Sequence, residues 1–109
     1  MSVAFLDFET SGFNPYHDDI IEIAIKQMNS DISFSTLVHP QSNECISQRI
    51  TAVTSITNEL IRKEGIPWLT AFTELNEFLK GIINDSPDGK LYIVSHNGET
   101  FDFLFLKRI

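Results

Sequence analysis

Basic residues are scarce in this chain, as are cysteine, tryptophan and long apolar runs, and each shortage excludes a class of protein. Eight Lys and Arg stand against fifteen Asp and Glu, a formal net charge of -7. That balance argues against a module that grips nucleic acid through a broad cationic face. An anionic substrate would have to be met through bound cations. The lone Cys45 forbids an intramolecular disulfide and is expected as a small, buried or half-buried filler. No apolar run approaches the length of a membrane span. The N-terminal Met1-Ser2-Val3-Ala4-Phe5-Leu6-Asp7 has no basic leader and meets an acid too early for a signal peptide. The expectation is an intracellular protein that is not secreted and has no membrane association.

What the chain does hold is enough to fold. Its 109 residues suffice for one small domain with a single core and are too few for two, so residues 1–109 are read as one unit. Nine Phe, within a hydrophobic share of 42%, exclude disorder. Val3 to Phe8 predicts a first strand buried on both faces until acids begin at its carboxyl end. Thr10 to Pro15 supplies turn residues. Ile20 to Ile25 is rich in β-branched residues and predicts a second strand. Beyond Asn29-Ser30-Asp31, Ile32 to Val38 predicts a third, making a hairpin that His39-Pro40 ends. Ile46 to Ile56 follows no single period. Thr57-Asn58-Glu59 reads as a cap opening a short helix that Gly65 stops. From Pro67, the residues Trp68, Leu69, Phe72, Leu75, Phe78, Leu79, Ile82 and Ile83 recur at helical steps. Trp68, Phe72 and Phe78 are expected in the core. Leu91 to Val94 predicts a buried strand, and Thr100 onward an apolar helix. The order implies an α/β fold with a mixed sheet packed by helices.

Two carboxylates mark the candidate site. In a strand Asp7 and Glu9, two apart, share one face while Leu6 and Phe8 share the other. Such a pair repels itself unless a cation lies between, and hard oxygen donors suit Mg²⁺ or Mn²⁺. Asp102 follows the last predicted strand. If that strand runs parallel beside the first, all three acids meet at one sheet edge, where ligands of open α/β sheets gather. Alone, each acid has a simpler explanation: Asp7 and Glu9 as a solvated loop entrance, Asp102 as a first-turn helix acid, Asn97 as a cap.

Three segments, in this order, resemble the DEDD (DnaQ-like) 3′-5′ exonucleases of the ribonuclease H-like superfamily. They are Asp7-Phe8-Glu9-Thr10-Ser11-Gly12, Asp18-Asp19-Ile20-Ile21-Glu22-Ile23-Ala24, and His96-Asn97-Gly98 followed by Phe101-Asp102. The resemblance implies a ribonuclease H-like mixed β-sheet flanked by helices, and hydrolysis of phosphodiester bonds at 3′ ends of single-stranded DNA or RNA. It implies that Asp7 bridges two Mg²⁺ or Mn²⁺ ions, Glu9 binds the first and Asp102 helps hold the second. Thr10 and Asn97 would lie on the substrate side, and Phe13 would stack on the terminal base. A polymerase or another replication or repair protein is the implied partner, in the cytoplasm, nucleoid or nucleus.

Two departures accompany the resemblance. The family's fourth Asp, with the His or Tyr before it, has no counterpart among Phe103 to Ile109, so the expectation is an exonuclease domain incomplete at its carboxyl end. Leu91 to Val94 would then be an edge strand. That gap keeps a second reading open: a non-catalytic, exonuclease-like fragment that binds a nucleic-acid end or a protein partner. The family's Gly before Ile-Thr is Ser55 here, which implies modest strain if the backbone needs positive φ there.

Overall fold

The hairpin and the returning strand build one sheet. In the computed structural model, which describes residues 2–12, 18–42 and 45–95, the strands are β1 (Ser2–Thr10), β2 (Ile20–Gln27), β3 (Ser33–Leu37) and β4 (Leu91–Val94). Helices α1 (Gln48–Thr54), α2 (Asn58–Glu64) and α3 (Trp68–Asp85) lie between β3 and β4 in the chain. The sheet order is β3-β2-β1-β4. β1 is antiparallel to β2 and parallel to β4, so the sheet is mixed, as expected. Asn29 takes a positive φ of 59° in the turn between β2 and β3, a conformation Asn tolerates better than most residues.

Each sheet face has its own apolar cluster. On one face Ala4, Leu6 and Phe8 of β1 pack with Ile23 and Ile25 of β2 and with Ala71, Leu75 and Ile82 of α3. Trp68, Phe72, Phe78 and Leu79 flank this core half-buried, and Phe34 of β3 meets Phe78 with ring centroids 6.0 Å apart. The helical stripe is narrower than the sequence period implies, because Leu69 and Ile83 turn outward. The second cluster joins Ile21 to Ile46, Ile50, Ile56 and Ile61, with Leu37 packed against it. It places α1 and α2 over the β2-β3 side of the opposite face.

Local chemistry explains the helix ends. The Ser47 hydroxyl accepts from the Ile50 amide at 3.3 Å, and the Thr57 hydroxyl from the Leu60 amide at 3.0 Å, each satisfying a first-turn donor. The Asn58 side chain accepts from the Ile46 amide and donates to the Ile46 carbonyl, at 2.8 and 3.1 Å, tying the start of α2 to the approach to α1. Ser55 ends α1 at φ 66°, the left-handed conformation that its glycine counterpart in the family would adopt without strain. Gly65 ends α2 differently: its φ is -71°. A side chain there would strike the Ile61 carbonyl and the His39 ring, whose Nε2 bonds the Gly65 carbonyl at 2.9 Å.

One segment left open is settled, and two expectations need correction. Ile46 to Ile56 contains a helix, α1, announced only by Ser47. Cys45 is exposed, because the neighbouring Ile46 occupies the core position. β1 and β4 are not buried on both faces: Phe5, Tyr92 and Val94 are 48%, 49% and 45% exposed. They alternate with Leu6, Leu91 and Ile93, which face α3, and α1 and α2 cover the other end of their own face. The helix expected from Thr100 onward lies outside the described residues.

Candidate metal-binding face

Asp7 and Glu9 project from the last part of β1 onto the face opposite α3, Asp7 exposed and Glu9 half-buried. The alternation that buries Leu6 and Phe8 therefore sends both acids to the side away from α3. Within β1 the apolar residues Val3 and Phe5 precede them on that side.

The pairing of β1 with β2 sets a third acid across from Glu9. Glu9 pairs with Glu22 and Thr10 with Ile20, so Ile21 has no partner in β1. Ile20 and Ile23, three residues apart, consequently share the α3 core, which strict alternation would forbid. The extra residue, a β-bulge at Ile21, redirects Ile20 and Ile21, whereas Glu22 stands in the regular ladder across from Glu9, on the face away from α3 because Ile23 and Ile25 take the α3 side. Burial pushes the Glu22 carboxyl above the usual glutamate range, and the negative charge of Asp7 adds to that shift. Like charges set opposite each other across a strand pair repel, and the Asp7 charge bears on Glu22 across the same pair of strands. Beside it a cleft of about 390 Å³, lined in part by Glu22, Ser35, Leu37, Ile56, Leu60 and Glu64, runs between the sheet and α2.

The chemistry of the donors fits a hard divalent cation. The side chains are carboxylates, the hard oxygen donors such an ion takes, and a cation beside Asp7 would relieve its repulsion of Glu22. Asp7 and Glu9 would hold it. Among the described residues, however, no three His, Cys, Asp or Glu side chains converge closely enough to enclose an ion. Asp102, the expected third ligand, lies outside the described residues, as do Phe13 and Asn97. What the structure does decide is the strand geometry leading to Asp102. β4 runs parallel to β1 with Val94 in register with Phe5, so both strands advance toward the level of Asp7.

Thr10 is buried, and its hydroxyl donates to the Gly12 carbonyl at 2.6 Å. The turn after β1 is therefore closed by its own side chain, and its Ser11 amide is held by the Asp19 carbonyl. Glu22 and Asp19 are the residues that sequence reasoning did not single out. Glu22 takes its direction from alternation with Ile23 and Ile25, but only the register of β1 against β2 sets it across from Glu9.

Residues 4–108 match the profile of the RNase T family, described as Exonuclease. The chain belongs to this family. Its members here are DEDD 3′-5′ exonucleases of ribonuclease H-like fold. The DNA polymerase III PolC-type protein of Thermotoga maritima is 39% identical over 106 residues, covering 94% of this chain and 7% of that protein. Exonuclease DPD1, chloroplastic/mitochondrial, of Arabidopsis thaliana is 29% identical over 109 residues, covering 97% of this chain and 33% of its own length. The exonuclease chain thus spans a third or less of these relatives. Among solved structures, E. coli Exonuclease I in complex with a dA16 oligonucleotide superposes with a TM-score of 0.78 at 19% identity, over 95% of this chain and 22% of that one. Exonuclease I from Methylocaldum szegediense gives 0.79 at 17% identity, with the same coverage. At such identities the likeness establishes the fold. Among the described residues no helix is long and apolar enough to cross a membrane.

Proposed function

We propose that this exonuclease-family chain serves metal-dependent 3′-5′ removal of nucleotides from single-stranded DNA or RNA. The observation that carries the reading is the placement of Asp7 and Glu9 side by side on the open sheet face, at the end of β1 toward which its parallel neighbour β4 also runs. Asp7 and Glu9, with Asp102, would hold two Mg²⁺ or Mn²⁺ ions. When bound, these would supply an activated water and charge stabilisation for the departing 3′-oxygen.

The chain's own groups do the remaining work. The three acids fix where cations sit on a protein of net charge -7, so that phosphate is drawn to this face and repelled elsewhere. The main chain of the turn at Thr10 would orient the terminal nucleotide, with Phe13 stacked on its base and Asn97 also contacting the substrate; stacking tolerates any sequence. The relatives named as DNA polymerase III support a polymerase, or another replication or repair protein, as companion, and with it an intracellular site of action.

The test is shortening of a 5′-labelled single strand with a free 3′-hydroxyl in Mn²⁺. Stepwise loss from the 3′ end is expected, and Asp7→Ala should slow it by more than about a hundredfold, since loss of even an outer-sphere partner costs 10–100-fold. Cleavage that survives Asp7→Ala would refute the site. Binding of the 3′ end without shortening, unaltered by Asp7→Ala, would favour the non-catalytic reading.

A further inference from the structure

The turn that follows the carboxylate strand is fastened from outside by a buried acid. The Ser11 amide donates to the Asp19 carbonyl at 2.7 Å, and the Asp19 amide donates back to the Ser11 hydroxyl at 2.8 Å. Asp19 is only 8% exposed. Its Oδ2 accepts from the Ser42 hydroxyl at 2.7 Å and from the Ser42 amide at 3.4 Å. Gly12 closes the arrangement, because a Cβ at that position would collide with the Asp18 carboxylate. The end of β1, the entry to β2 and the segment after β3 are thereby joined into one unit.

A buried carboxylate is costly to desolvate, and hydrogen bonds to an ionised acceptor are the stronger kind. Packing alone would be served by a neutral residue. The carboxylate reaches across to Ser42, twenty-three residues away in the chain, and so ties a distant segment to the turn that continues directly from Glu9. Displacing that turn displaces the main chain beside the candidate metal ligands.

We propose that Asp19, held by Ser42, is a positioning residue that sets the Thr10-Ser11-Gly12 main chain for contact with the terminal nucleotide. The inference rests on the exonuclease reading above. Its test pairs two measurements on the whole chain: amide hydrogen exchange at Ser11 and Asp19, and anisotropy of a labelled single strand with a free 3′-hydroxyl in Ca²⁺, a hard divalent stand-in. Ser42→Ala should speed exchange at both amides by about tenfold, the loss of one ordinary hydrogen bond. It should weaken binding by about tenfold, as for other outer-sphere partners, and Ser42→Thr should restore both. Asp19→Asn should match Ser42→Ala, and the double variant should add little to either. Unchanged exchange in Ser42→Ala would overturn the clamp. Faster exchange with unchanged binding would overturn its positioning role. Absence of binding by the unaltered chain would instead sink the exonuclease reading and the positioning role with it, while the exchange measurement still judges the clamp.

Discussion

The two faces of the sheet differ in what they ask of neighbouring residues. Leu6 is 4% exposed and packs in the core that α3 covers, whereas Phe5, the residue before it, is 48% exposed on the side where the acids lie. One face is arranged for cohesion. The other is covered by α1 and α2 only over β2 and β3, and beside that cluster it accepts the exposure of Phe5 and the repulsion between Asp7 and Glu22, both unfavourable to the isolated fold. Functional sites characteristically retain such local conflict, and the core compensates for it.

Adjacent substitutions would break or sharpen this contrast. Leu6→Ala should cost about 2–5 kcal/mol, the range for truncating a buried Leu, measured by urea denaturation. Phe5→Ala should cost less than about 1 kcal/mol, since half its surface already meets solvent. Comparable losses would show that the site face is as tightly packed as the core. Ser55→Gly should stabilise the fold by about 0.5–1 kcal/mol by relieving the left-handed backbone, against the entropy Gly adds to the unfolded chain. A loss of stability there would mean that the Ser55 side chain has a role of its own.

The smallest expected effect concerns Glu22. Its folded-state pKa is raised, so the unfolded chain loses this proton at lower pH than the folded one. Stability is therefore lost as pH rises from the ordinary value of 4.5 through the raised value. Glu22→Gln should melt slightly higher than the unaltered chain at pH 7 without divalent cations, and the difference should vanish below about pH 4. Added Mn²⁺ should narrow it at neutral pH by relieving the repulsion. A difference that persists in acid would assign the effect to packing rather than charge.

Much of this was legible locally. The acids at Asp7 and Glu9 share a face because strand side chains alternate, and Thr57 capped α2 as its chemistry implied. The strand at Leu91 to Val94 has the bounds its apolar run indicates. The segment of α1 stayed open because its seven residues carry one cap, no acid in the first turn and no basic residue in the last. The exposure of Phe5, Tyr92 and Val94 was missed because an apolar strand reads the same whether one face or both are covered. Asp102, Asn97 and Phe13 were legible as motif positions, and lie outside the described residues.

By itself the sequence determined the elements, the acidic character of the chain and the pairing of two carboxylates on one face, since these follow from periodicity and side-chain chemistry over a few residues. Tertiary structure alone decided that the register of β1 on β2 sets Glu22 opposite Glu9, that Ser42 reaches Asp19, and that β4 lies parallel beside β1. Those outcomes depend on register between distant segments, which no local pattern encodes.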